Sequence, residues 1–77
     1  MVKVYTVTGC PWCEKVKAYL ASKGVEFEAL DIERDESARQ VCKNLTSIDG
    51  AVPVTTADGE NYVLDFDKPA LDKLLKI

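Results

Sequence analysis

The chain has 77 residues, with 10 Lys and Arg against 13 Asp and Glu (net charge -3), no histidine, three cysteines and 47% apolar residues. This length suits one domain, spanning 1–77, whose core only just offsets chain entropy. The mildly acidic balance, with no basic run, excludes nucleic acid and an anionic membrane surface as partners, and the lack of imidazole excludes His-based dyads and His metal ligands.

An odd cysteine count fits poorly with a disulfide-stapled secreted domain, so a cytoplasmic location is expected. The segment Met1–Val7 lacks the apolar stretch and cleavage site of a signal peptide. No apolar run approaches the roughly 20 residues that span a bilayer.

Residues 2 to 7 alternate Val2, Val4 and Thr6 with Lys3, Tyr5 and Val7, which predicts a largely buried first strand. From Pro11 to Lys23, Val16, Tyr19 and Leu20 recur at helical spacing and Gly24 stands at the stop position, so a first helix of about three turns follows. Val25–Ile32 reads as a second strand, with Phe27 and Leu30 apolar. A second helix opens near Asp35, with Ala38, Val41, Cys42 and Leu45 as its apolar face. Residues 46 to 52 are loop-like. Residues 53–56 and 61–64 flank Ala57-Asp58-Gly59-Glu60, whose Asp-Gly pair predicts an antiparallel hairpin. A last helix starts after Asp67 as N-cap, tolerates Pro69 in its first turn and buries Leu71, Leu74 and Leu75.

The order is βαβ followed by αββα. A right-handed parallel crossover plus a hairpin on the same sheet gives a four-stranded mixed sheet flanked by three helices, a three-layer α/β/α domain.

Chemistry concentrates in Cys10-Pro11-Trp12-Cys13, between the first strand and the first helix. Unpaired N–H groups and the positive end of the helix dipole favour a thiolate at Cys10, the nucleophile of thiol-disulfide exchange. Cys13 lies about one turn on, on the same side of the helix, as a resolving thiol. A closed zinc site usually takes four Cys or His ligands; with three cysteines and no histidine, no metal site is expected. Trp12, at a turn, serves either as a docking surface beside the nucleophile or as packing over its neighbours. Thr8-Gly9 precedes it, and Gly9 permits a tight turn and the close approach of another chain, with ordinary turn chemistry as the equal reading. Cys42 falls on the apolar face of the second helix and reads as a small buried hydrophobe. Glu33-Arg34-Asp35-Glu36 reads as a solvated loop and helix start.

The Cys-Pro-Trp-Cys helix start, the Val52-Pro53 pair before a hairpin and the βαβ-ββα order together resemble the glutaredoxin family of the thioredoxin fold, over essentially the whole chain. From the residues alone, Val52-Pro53 is equally a trans proline opening an edge strand. The resemblance implies a cis Pro53 lying against the two cysteines, with the Val52 backbone free to pair with an extended disulfide substrate. It implies a dithiol oxidoreductase acting on protein or small-molecule disulfides, with Thr8, Gly9, Pro11, Trp12, Val52 and Pro53 as its substrate surface. It further implies a monomer with no tightly bound cofactor, reduced by glutathione or by a thioredoxin-reductase-type donor.

Where glutathione-using members carry a Lys before the first cysteine, this chain has Val7. Where they carry Gly-Gly and an acidic pair, it has Val63-Leu64-Asp65-Phe66-Asp67. Asp65 or Asp67 is left to hold the tripeptide amino group, and Asp67 has a sufficient alternative as helix N-cap. In this the chain is similar to small glutaredoxin-like proteins and NrdH-type redoxins, although the Trp-containing C-terminal motif of the latter is absent. The resemblance also allows a second function, a glutathione-assisted iron-sulfur cluster carrier bridged between two chains through Cys10, against which the bulk of Trp12 beside Pro11 weighs.

Overall fold

The computed structural model describes residues 2–76; Met1 and Ile77, the two ends of the expected 1–77 domain, lie outside the described residues. The elements run β1 (Val2–Thr6), α1 (Pro11–Ser22), β2 (Phe27–Asp31), α2 (Glu36–Thr46), β3 (Val54–Thr56), β4 (Tyr62–Leu64) and α3 (Lys68–Leu75). The strands form one mixed sheet in the order β2-β1-β3-β4. β1 pairs in parallel with β2 and antiparallel with β3, which pairs antiparallel with β4. The expected four-stranded, three-helix architecture is present.

With a strand on either side, β1 buries Val4, Tyr5 and Thr6, while Lys3 near its start stays exposed. Val4 turns toward Val16 and Leu20 of α1, while Tyr5 turns to the opposite face with Ile32, Ala38, Cys42 and Val54. Burial of each such aliphatic side chain contributes about 1.5–3 kcal/mol. Helix α3 shares the α1 face: Leu75 and Phe66 pack on the Val4 cluster, the Tyr19 hydroxyl donates to the Asp72 carboxylate, and Tyr19 and Phe66 meet edge to face with centroids 5.9 Å apart. Helix α2 alone covers the other face. No helix among the described residues is long and apolar enough to cross a membrane.

Two boundaries differ from expectation for a local reason. The N–H of Gly24, at φ +71, bonds to the Ala21 carbonyl and that of Val25 to the Leu20 carbonyl, the paired bonds of a Schellman stop. That stop ends α1 at Ser22 and consumes Val25, so β2 begins at Phe27 rather than Val25. The hairpin loop is also longer than predicted, spanning 57–61. Asp58 holds it, accepting from the backbone N–H of Glu60 and Asn61 at 2.9 and 2.8 Å, and these bonds keep its carboxyl near a pKa of about 2.

Val41 departs from its predicted core position, being 52% exposed. The buried stripe of α2 is Ala38, Cys42 and Thr46, with Leu45 partly covered. At 100° per residue Val41 falls to one side of that stripe. The Thr46 hydroxyl is accommodated by donating to the Cys42 carbonyl at 2.9 Å.

Candidate functional site

The antiparallel register sets Val54 opposite Tyr5 and Thr56 opposite Lys3. The hairpin loop therefore lies at the start of β1, and the segment before Val54 lies at its end, where the chain enters Val7-Thr8-Gly9-Cys10. Loops from distant parts of the sequence thus converge at one end of the central strands.

Gly9 takes φ +79, a left-handed turn that a side chain disfavours, and it carries the chain from β1 into α1. Thr8 is exposed and donates its hydroxyl to Asp31 Oδ2 at 2.9 Å. Asp31 ends β2, paired with Thr6, and its other oxygen accepts the Glu33 N–H at 2.9 Å. The Glu33 backbone bond, with the Thr8 hydroxyl adding to it, holds the Asp31 carboxyl below the usual carboxylate range.

Cys10 is the N-cap of α1, with φ −93 and ψ 108, and its sulfur accepts the Cys13 N–H at 3.2 Å. Pro11 occupies the first turn, where a missing N–H costs no helical bond. Cys10 is partly exposed and Cys13 has no exposed surface. The two are joined as a disulfide with Cα atoms 5.2 Å apart. Trp12 is 54% exposed, with Lys15 Nζ lying 4.2 Å from the ring centroid. The ammonium occupies one face of the indole, so the ring's other face and its edge are what it presents beside Cys10.

The Val52–Pro53 peptide bond is cis. Pro53 is fully buried, and its carbonyl accepts the Asp65 N–H at 3.0 Å. Continuing the β1–β3 register places Pro53 and Val52 across from Thr6 and Val7. Val52 takes part in no backbone hydrogen bond among the described residues, leaving its amide and carbonyl for an outside strand. Val7 and Val52 line one hollow together with Ile32, Glu33, Arg39 and Gly50. The predicted residues Thr8, Gly9, Cys10, Pro11, Trp12 and Cys13 thus form one continuous turn and helix start, and Val52 and Pro53 arrive at the same end of the sheet from the β3 side.

The acidic residues near the last helix separate. Asp67 caps α3, accepting the Ala70 N–H at 3.2 Å, whereas Asp65 is exposed at φ +59 and fastened by its backbone to Pro53. Cys42 stays apart from the other two cysteines: it is a free, buried thiol directed at the Ala51 carbonyl at 3.7 Å, and burial pushes its pKa up. Sequence reasoning missed Asp31, which fixes the Thr8 hydroxyl, and the Arg39–Asp49 pair beside Val52. Neither has a local pattern, since the partners are 23 and 10 residues apart.

Comparison with known proteins agrees with this geometry. The Glutaredoxin family model matches residues 2–62. An uncharacterized glutaredoxin-like 8.6 kDa protein from the rubredoxin operon of Clostridium pasteurianum is 38% identical over 76 residues, covering 99% of each chain. The crystal structure of a thioredoxin-like protein, 31% identical, superposes with a TM-score of 0.84 over 96% of this chain and 99% of the other. A glutaredoxin from Archaeoglobus fulgidus, 26% identical, gives a TM-score of 0.81 over 99% of this chain and 86% of its own.

Proposed function

Because the chain belongs to the glutaredoxin family, we propose that it is a dithiol oxidoreductase that reduces protein or small-molecule disulfides, with Cys10 as nucleophile and Cys13 as resolving thiol. The observation that carries this reading is the asymmetry of the pair: a partly exposed sulfur capping the α1 N-terminus, bonded to a sulfur with no exposed surface. An incoming disulfide meets Cys10 first, and the helix N-terminus favours its charged, attacking form.

In the first step the Cys10 thiolate attacks one substrate sulfur, forming a mixed disulfide and expelling the other substrate sulfur as a thiolate. Cys13 then loses its proton and attacks Cys10 Sγ. The Cys10–Cys13 disulfide forms and the second substrate thiol is released. Two electrons pass to the substrate, and glutathione or a thioredoxin-reductase-type protein returns them. The cycle runs on the two thiols alone, without a bound cofactor or metal. Thr8, Gly9, Pro11, Trp12, Val52 and Pro53 form the surface on which the substrate lies, the unbonded Val52 amide and carbonyl supporting strand-like pairing. A cytoplasmic monomer meeting disulfide-bearing partners completes the reading.

The test is substitution of each sulfur in turn. Cys10→Ser is expected to abolish reduction of a disulfide substrate, and Cys13→Ser to stop after the first step and accumulate the mixed disulfide, visible by mass spectrometry. Unchanged turnover in Cys10→Ser overturns the assignment.

A further inference from the structure

The hollow beside Val52 has a volume of about 310 Å³. Val7, Ile32 and Val52 give it an apolar lining, and Glu33 and Arg39 bring charge to it. Val7 stands three residues before Cys10, and Val52 adjoins Pro53. A substrate joined to Cys10 and paired on Val52 therefore sets the residue next to its cysteine over this hollow.

Arg39 is the only cation in the lining, and it is already engaged. Its Nε and Nη2 donate to the two carboxylate oxygens of Asp49, each at 3.0 Å, the two-pronged geometry that best satisfies a guanidinium. Asp49 favours the charged form of Arg39, and Arg39 keeps the Asp49 carboxyl below its ordinary range. A carboxylate arriving on a small disulfide must displace one that is tethered ten residues away on the same chain, at high effective concentration. It also meets Glu33, which forms no ion pair among the described residues.

We propose that the Arg39–Asp49 pair makes this site select a polypeptide disulfide with an apolar residue beside its cysteine, against small disulfides that carry carboxylates. The proposal rests on the oxidoreductase reading. Asp49 acts through Arg39 as a positioning residue: it withholds the guanidinium from anions and leaves the apolar lining of Val7, Ile32 and Val52 as the recognition element.

The experiment follows single-turnover oxidation of the fully reduced protein, in which each substrate disulfide becomes two thiols as Cys10 and Cys13 close, so no reductant is needed. The probes are glutathione disulfide, uncharged bis(2-hydroxyethyl) disulfide, and two disulfide peptides differing only in Leu or Glu beside the cysteine. In the unaltered protein the Leu peptide is expected to react about tenfold faster than the Glu peptide, like charge and lost apolar contact both opposing the latter. Asp49→Asn frees Arg39 and is expected to raise the rate with glutathione disulfide about tenfold relative to the uncharged disulfide, a gain that added salt removes and that the double variant Arg39→Gln/Asp49→Asn lacks. Equal rates for the two peptides, or an Asp49→Asn change shared equally by both small disulfides, overturns the selection proposal while the oxidoreductase reading stands. Failure of the unaltered protein to reduce any of the four probes overturns both.

Discussion

Helices α1 and α2 both follow a strand of the parallel pair, and both begin on an extended cap residue whose side chain accepts the N–H three positions on. In α2 the acceptor is the Asp35 carboxylate, 3.1 Å from the Ala38 nitrogen; in α1 it is the Cys10 sulfur, 3.2 Å from the Cys13 nitrogen. The carboxylate cap of α2 serves folding alone. A sulfur cap exists as thiol, thiolate or disulfide, and the thiolate is its strongest acceptor. Under the proposed function the capping position of α1 is also the reaction centre, because the group that satisfies the helix is the one that changes.

The sharpest way to break this comparison is to give α1 the cap of α2. Cys10→Asp keeps a good N-cap but removes the nucleophile, so disulfide reduction is expected to fall at least about 100-fold while circular dichroism shows an intact helix. Residual reduction within tenfold of the original would place the reaction elsewhere. A smaller effect follows from the reverse operation on α2. Asp35→Ala leaves the sulfur pair untouched and removes a structural cap, with an expected loss of about 1 kcal/mol, seen as a melting point lowered by about 4–8 °C and an unaltered single-turnover rate. The smallest effect lies at the other ends of the two helices. α1 stops at Gly24, whereas α2 stops at Ser47 with φ 62, a left-handed angle on a residue with a side chain. Ser47→Gly puts at that angle the residue type that tolerates it and is expected to raise stability by about 0.5–1 kcal/mol in chemical denaturation.

The same pair of helices shows what could be read in advance. Both starts were legible, since Cys10-Pro11 and Asp35 each stand just before a helical apolar period, as did the Gly24 stop and the Asp67 cap of α3. The face of α2 was only partly legible. A period of Ala38, Val41, Cys42 and Leu45 fixes a stripe but not its centre, and docking on Tyr5 and Val54 turned the helix so that Thr46 is covered and Val41 is not. The pairing of the sulfurs could be read from spacing, because Cys10 and Cys13 lie within one turn. The groups that furnish the rest of the site become neighbours only in the fold: Asp31 meets Thr8 where β2 ends beside β1, and Asp49 meets Arg39 where the loop after α2 turns back along the helix. Val52-Pro53 stood between these cases, visible as a pair and interpretable only beside Cys-Pro-Trp-Cys.

The complete burial of Cys13 has a consequence for damage as well as for turnover. Peroxide arriving at this end of the sheet meets Cys10, the more exposed of the two sulfurs, and its first product on a reduced Cys10 is a sulfenic acid. Cys13 sits below, within disulfide distance, and condensation of its thiol with that sulfenic acid releases water and forms the Cys10–Cys13 bond. That is the same disulfide which, under the proposed function, reduction of a substrate leaves behind. Under the proposed function, the donor that re-reduces the protein after turnover would then also reverse this oxidation, short of the irreversible sulfinic and sulfonic acids.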